Sequence, residues 1–383
     1  MQELTAEMPL TAAPDSEKAA VDFKHTPALD GVRGIAVLVV MIYHLEWLMP
    51  ALHPYVRGGF LGVDIFFVLS GFLITSILLG EHAKTSTISL KRFYIRRCLR
   101  LIPAFWIFLI FLYLFGRYLL PAEQVNLLYG GNDFVYAFTY TINWFSASNP
   151  VADSNLNHVW SLSIEEQFYI LWSLILFKAF SETRSKKQIL CVTLGFVVAL
   201  WVSRAVRAAF GTEWRVLYYS TDTRIDALLI GCVASIVYMW RLIPASFLKT
   251  IWFRSLCGAS IAAAFIVFLS VSHEDPNLYI FGLPIFTFSV AIMIYWLASH
   301  RGTFLHTLLE NRTLRWVGNV SYGLYLWHYL FFEFAKKTFV QPSTQVIAGI
   351  VLAFMVTAIS YYFVERPFLR LKSRFEARSI RVS

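Results

Sequence analysis

Charge is scarce in this chain. Of its 383 residues, 15% are Asp, Glu, Lys or Arg, while 57% are hydrophobic. That balance excludes a soluble globular domain. Apolar runs of about 20 residues recur throughout, and each is long enough to cross a bilayer's hydrocarbon core. Cysteine is scarce as well. Cys98, Cys191, Cys232 and Cys257 lie in or beside the apolar runs without paired spacing, which argues against a disulfide framework or a zinc site. Residues 1–28 lack a basic stretch followed by an apolar core, so they do not read as a cleavable signal. They are polar and slightly acidic, and are expected to form a disordered cytoplasmic tail. No internal repeat, low-complexity run or linker sets off a soluble domain.

What the chain has instead is aromatic side chains and cations in short loops. Phe (34), Tyr (19) and Trp (12) are plentiful, as expected where rings pack between helices and lie at the headgroups. The net charge of +9 could point to nucleic acid, but the Lys and Arg residues sit between apolar runs, where they set topology. The class read from this pattern is an all-α, polytopic membrane protein with about ten transmembrane helices. The spans are expected near 32–49, 60–79, 101–120, 162–180, 189–209, 225–240, 252–272, 278–298, 316–335 and 345–364. The run 134–146 is short and polar-interrupted, and reads as a re-entrant or interfacial piece. With this count, 25 of the 33 cationic residues fall on one side, which makes both termini cytoplasmic under the positive-inside rule. Residues 29–368 then form the membrane domain and 369–383 a basic cytoplasmic tail. Pro284 is expected to kink the eighth span.

Polar residues inside such spans are costly and point to function. In the first span, LDGVRGIAVLVVMIYHL (29–45), Arg33 and His44 are separated by 11 residues, about three helical turns, so they share one face about 16 Å apart. A histidine held by a neighbouring helix and an arginine reaching to the headgroups would explain the pair equally well. The second span opens GGFLGVDIFFVLSGFLIT (58–75). Close helix packing accounts for Gly58, Gly62 and Ser70-Gly71 but not for Asp64, read either as a capping carboxylate or as a catalytic orienter. In KRFYIRRCLRLIPAFW (91–106), Arg92, Arg96 and Arg100 with neighbouring Arg97 are expected to form one cationic face. Topogenesis explains some of that charge, and a polyanion such as phosphate would explain the excess.

NHVWSLSIEEQFYILW (157–172) offers Ser163 and Glu166 as a capping box, leaving Glu165 over, with His158 at the same mouth. In STDTRIDALLIG (220–231), Thr223 and Asp226 suggest another box. Asp222, Arg224 and Asp226 alternate in charge, as a local ion pair or as a polar site for a hydroxylated substrate. VGNVSYGLYLWHY (317–329) places His328 midway across the ninth span, at a depth similar to that of His44.

Taken together, these stretches resemble the membrane-bound acyltransferase 3 family of bacterial O-acyltransferases. The resemblance is carried by Arg33-x10-His44, GVDIFFVLSGFLI (62–74), RFYIRRCLRLIP (92–103), WSLSIEEQFYILW (160–172), TDTRIDALLIG (221–231), SYGLYLWHY (321–329) and ERPF (365–368). It implies ten spans in the cell inner membrane and an acyl-CoA co-substrate, commonly acetyl-CoA, with no tightly bound cofactor and no metal. It also implies an acceptor hydroxyl on an extracytoplasmic glycan or lipid-linked glycan. Arg33 and His44 become the essential pair, Glu166 maps onto the family's motif glutamate, and Arg92, Arg96, Arg97 and Arg100 onto its Arg-rich stretch. Some members carry a fused hydrolase-like domain that this sequence lacks room for, so acceptor handling is expected from the spans or from a separate periplasmic partner. His44 is expected to act as general base, with Asp64 or Glu166 orienting it and Arg33 with the four other arginines binding the donor. Glu165, Asp222, Arg224, Asp226 and His328 are expected on the acceptor side. A transporter or flippase of a glycan or lipid precursor is the alternative, using the intramembrane charges as a proton relay, though no repeat supports it.

The topology is checked by labelling. Single cysteines placed at positions 57, 215 and 336 of a cysteine-free chain should react with an impermeant thiol reagent from outside, and those at 86, 185 and 306 should not. Labelling at 185 together with 57 would overturn the ten-span count.

Overall fold

The computed structural model describes residues 25–119, 133–149 and 156–375, and among these every regular element is helical. Ten long helices account for the apolar runs. They are α1 (Pro27–Leu45), α2 (Gly62–Thr85), α3 (Leu90–Leu119), α4 (Trp160–Ser181) and α5 (Lys186–Ala209). There follow α6 (Thr221–Met239), α7 (Ile251–Ser270), α8 (Leu283–Ser299), α9 (Ser321–Thr338) and α10 (Pro342–Ser360). Seven of them, α1–α3, α5, α7, α8 and α10, are long and apolar enough to cross a membrane. The other three, α4, α6 and α9, are long enough to span but carry the acids, cations and histidines singled out above. The fold is therefore that of an all-α, multi-pass membrane protein. Residues 1–24 and 376–383 of the expected tails lie outside the described residues, and α1 begins just inside the expected tail boundary.

Local chemistry sets several of the ends. Pro27 opens α1, where its missing N–H is one of the groups a helix leaves unbonded anyway. Ser185 caps α5 through a reciprocal box with Gln188, and the Thr250 hydroxyl accepts from the Phe253 N–H at the start of α7. The expected boxes at Ser163–Glu166 and Thr223–Asp226 do not form. Both helices start earlier, at Trp160 and Thr221, so these residues lie inside them. The run 134–146 is not a span: it makes two short helices, Asp133–Phe138 and Ile142–Ser148, separated by Thr139–Thr141. Near Pro284 the span Leu278–Ser299 carries a π-turn at Leu278–Gly282, an irregularity just before the proline of the kind that bends helices. A second π-turn, Tyr361–Glu365, links α10 to the short helix Arg366–Lys372.

α2 and α8 are the most buried of the apolar helices, while α5, α7 and α10 leave most of their surface outward. The centre is the crossing of α2 and α6. A Cβ at Gly71 would stand 1.9 Å from the Leu228 carbonyl oxygen, and one at Gly231 would stand 2.0 Å from the Val68 carbonyl oxygen. The two backbones touch at both points, so Gly71 is there for packing. Gly71→Ala should therefore lower folded yield and melting temperature sharply. Gly195→Ala is the control: nothing lies within 4 Å of the new methyl, and stability should hold or rise by up to about 1 kcal/mol. Equal melting temperatures for the two variants would contradict the crossing.

Candidate active site

The α2–α6 crossing is also tied by charge. Asp64, in the first turn of α2, receives Arg224 Nη2 at 2.9 Å on both carboxylate oxygens, and both side chains are buried. The Arg224 guanidinium lies 5.0 Å from the Tyr218 ring centroid and 5.5 Å from that of Trp160. Asp226 pairs with buried Arg204 of α5 at 2.6 Å, and Arg204 also donates to the Thr223 and Tyr279 carbonyls. Asp222 pairs with Arg207 at 2.6 Å on the more exposed side. The local ion pair expected within residues 222–226 is thus replaced by three pairs between helices. Residues two apart on a helix point away from each other, so each must find its partner on another element. Asp64, Asp222, Arg224 and Asp226 are engaged in holding α2, α5 and α6 together.

The expected single arginine face of α3 divides in two. Arg96 donates to Glu81 Oε2 at 2.9 Å and to the Phe375 carbonyl at 2.9 Å, and Arg92 stands 3.6 Å from Glu81 Oε1. These two fasten the end of α2 and the start of α3 to the chain beyond α10. At 100° per residue Arg97 lies about a quarter turn from Arg96, with Arg100 between them at about 40°. Arg97 and Arg100, with Arg33, line a cavity of about 80 Å³ that also touches Ser70, Glu165 and Tyr169. The Ser70 hydroxyl donates to Glu165 Oε1 at 2.7 Å, and Arg97 stacks over the Tyr169 ring at 4.5 Å. Arg33 is 3.9 Å from Asp30. Three arginines thus meet one lining carboxylate, an arrangement suited to an anion. Glu165, and not Glu166, is the lining acid.

His44 opens into a different space. Its Nδ1 lies 3.0 Å from His328 Nε2, and His328 Nδ1 lies 2.8 Å from the Leu324 carbonyl. The carbonyl only accepts, so His328 Nδ1 carries a proton, His328 Nε2 accepts, and His44 Nδ1 donates. His44 Nε2 is left with a lone pair, which a base requires. The expectation that Asp64 or Glu166 orients this imidazole is corrected: His328 holds it, while Arg224 occupies Asp64. His44 lines a chamber of about 130 Å³ together with Tyr43, Trp47, His158, Trp160, Trp214, Tyr218 and His273. Tyr325 lines the first cavity, and its hydroxyl is bonded to Ser161 at 2.7 Å and to the carbonyl of His158, a residue that lines the second. Despite three neighbouring histidines, no described group of His, Cys, Asp or Glu is arranged to hold a metal ion.

Ser70, Tyr169, Ser161 and Tyr325 were not singled out from sequence. Helical spacing carried the signal for two of them: Tyr169 follows Glu165 by four residues, and Tyr325 precedes His328 by three. Of the aromatic lining of the His44 chamber, Tyr43 and Trp47 are neighbours of His44 in sequence, while Trp160 of α4 and the short helix Trp214–Tyr219 come from far along the chain and had no such signal.

Fold and site define a multi-pass membrane protein with a basic cavity and a histidine-bearing aromatic chamber along one helix. The model of the acyltransferase domain family matches residues 26–365, and the chain belongs to that family. It is 34% identical over 358 residues to the peptidoglycan O-acetyltransferase OatA of Listeria monocytogenes, covering 90% of this chain and 56% of that protein. It is 34% identical over 361 residues to the O-acetyltransferase OatA of Staphylococcus aureus, covering 90% and 57%. The chain therefore spans little more than half the length of these curated relatives. No solved structure matches it.

The pairing is checked by stability. Asp64→Asn leaves the Arg224 charge buried without its acid and should cost about 3–5 kcal/mol, whereas replacing both with apolar residues of similar volume should recover most of that loss. An Asp64→Asn protein with an unchanged melting temperature and lost activity would restore a catalytic role.

Proposed function

We propose that the chain is a membrane O-acyltransferase. In this reading it moves an acyl group, acetyl by analogy with the relatives, from cytoplasmic acyl-CoA to a hydroxyl of an extracytoplasmic glycan such as a cell-wall polymer. The observation that carries the reading is the first helix. Arg33 lines the basic cavity, and His44, about 16 Å along the same helix, lines the chamber with its Nε2 left to accept a proton. A CoA thioester has that layout, with phosphates at one end and the reactive carbonyl at the end of a flexible arm. A cavity of 80 Å³ holds a handful of atoms in file, at about 10–15 Å³ for each water-sized site, so the nucleotide stays at its mouth. Arg33, Arg97 and Arg100 then take the phosphates or the root of the arm.

The reaction follows general-base logic. His44 Nε2 accepts the acceptor hydroxyl's proton as the oxygen attacks the thioester carbonyl. The carbon–sulfur bond breaks, and the thiolate leaves as CoA, taking the proton back from His44. His328 fixes the ring and its tautomer without touching substrate, which makes it a positioning residue. In this reading Tyr325 and Ser161, bonded to each other and to the turn that carries His158, stand as a wall between the cavities, and the arm reaches His44 when that wall moves.

The test is purified protein with labelled acetyl-CoA and a glycan acceptor, scored for CoA release and for acyl transfer. His44→Ala should cut single-turnover rate by roughly 10²–10⁴ with donor affinity nearly intact. Full chemistry in that variant would sink the general-base role. Arg33→Ala, Arg97→Ala and Arg100→Ala should each weaken donor binding about tenfold to a hundredfold, with Arg33→Lys recovering part. Arg96→Ala should instead lower the melting temperature, through the loss of its Glu81 bond. Labelled donor and acceptor with no transfer, but with the glycan moved across vesicles, would favour the flippase.

A further inference from the structure

The chamber at His44 is walled by a closed circuit of side chains. From Trp47 the circuit runs to Tyr329, 4.8 Å away between centroids, and on to His158, which stacks on Tyr329 at 4.7 Å. Next to His158 in sequence, Asn157 donates through Nδ2 to the Tyr219 hydroxyl at 3.1 Å, and the Tyr219 ring lies 6.3 Å from that of Trp214. Trp214 meets His273 at 4.7 Å, and His273 Nδ1 lies 3.4 Å from the Tyr43 hydroxyl. The His44 ring, 5.2 Å from Tyr43 and 4.9 Å from Trp47, closes the circuit. Trp47, Trp214 and His273 are half-buried and His158 and Trp160 are buried, so the chamber deepens inward from a rim that carries two indoles. Among the described residues no Asp, Glu, Lys or Arg lines it. The cations behind its walls are already answered: Arg224 by Asp64, and Arg215, over the Trp214 ring at 5.0 Å, by Glu213 at 4.0 Å. His273 lies outside the spans, and burial holds its pKa below the ordinary histidine value, so it adds no charge at pH 7.

We infer that this chamber takes one uncharged pyranose of the acceptor, stacked on Trp47 and Trp214, and refuses a sugar that carries a carboxylate. The inference rests on the acyl-transfer reading and adds to it the size and charge of the acceptor unit. A chamber of about 130 Å³ holds roughly 9–13 water-sized sites at about 10–15 Å³ each, against about twelve non-hydrogen atoms in a hexose, so one ring fills it. The C–H-rich face of a pyranose suits the negative face of an indole, while its hydroxyls need a few well-placed donors and acceptors. Asn157 supplies both. Its Oδ1 accepts from Ser146 at 2.6 Å and one Nδ2 hydrogen goes to Tyr219, which leaves a second N–H and a further lone pair. A carboxylate brought into the same space would lose its water and meet no uncommitted cation, a far larger penalty than that of a hydroxyl.

The test uses the full chain in mild non-ionic detergent. Methyl glucoside and methyl N-acetylglucosaminide are the uncharged probes, and methyl glucuronide is the charged one. Saturation-transfer NMR without donor should show at least one uncharged probe bound, with a Kd on the order of 1 mM, and the glucuronide at least about tenfold weaker. Trp47→Ala and Trp214→Ala should each weaken the uncharged probe about tenfold, and Phe at either position should recover most of that loss, which a purely structural role would not predict. His273→Lys changes a loop residue at the rim and should bring the glucuronide level with the uncharged probe. That variant keeps the inference testable if the indole variants do not fold. Binding is read apart from turnover, so the two failures are distinct. An uncharged sugar bound with this selectivity, but never acylated, would support the chamber's ligand and strike the catalytic reading alone. Acyl transfer without binding of either uncharged probe would overturn the inference and leave the catalytic reading standing. Equal binding of the glucuronide, or an unchanged preference in His273→Lys, would overturn it as well.

Discussion

Charge buried in a low-dielectric interior must be paired, and this constraint shapes more of the molecule than any apolar contact. Asp64 with Arg224 and Arg204 with Asp226 are salt bridges between helices, buried on both sides. Losing one partner of such a pair strands the other, which is far more costly than the pair itself is stabilising. The first joins α2 to α6, about two turns from the point where Gly71 and Gly231 bring their backbones into contact, and the second joins α6 to α5. Glycine contact sets how close the helices come; the ion pairs set their register. From that register follow the position of Ser70 against Glu165 and that of Trp160 and Tyr218 beside Arg224.

The same constraint explains how His44 is held. A carboxylate beside it in the interior would be a further charge needing a partner. A second neutral imidazole avoids that demand, since His328 Nδ1 donates to a backbone carbonyl and its Nε2 accepts from His44. The chain of bonds fixes one tautomer without introducing net charge. In the proposed reaction His44 becomes charged only transiently, when it holds the acceptor's proton.

Much of the architecture was legible in the sequence. The expected spans overlap all ten long helices, seven of them apolar enough to cross a membrane, because length and hydropathy are local properties. The break in 134–146 was legible for the same reason, through Thr139, Thr141 and Asn143. The pairing of charges was not. Asp64 and Arg224 are 160 residues apart, and nothing in either neighbourhood names the other. The arginine stretch shows the limit most clearly. Its composition announces an anion site, yet Arg92 and Arg96 answer Glu81, and only Arg97 and Arg100 turn to the cavity with Arg33. Likewise the motif pointed to Glu166, and the facing of α4 instead puts Glu165 on the cavity.

Separating the two cavities has a chemical consequence. A thioester held beside a base in an open channel would be hydrolysed by the water that fills the channel. In the proposed reaction the wall is Tyr325, which lines the basic cavity and whose hydroxyl is bonded to Ser161 and to the carbonyl of His158, a residue of the His44 chamber. Those bonds join α9 to α4 and to the turn before it, so opening the wall requires these elements to part. Tyr325 and His328 sit on the same face of α9, three residues apart, and a shift of that helix moves both. The residue that closes the wall and the residue that orients the base are therefore mechanically one unit. Admission of the acyl group and alignment of His44 can then be set by a single displacement, which would confine the reactive geometry to the moments when the donor is in place.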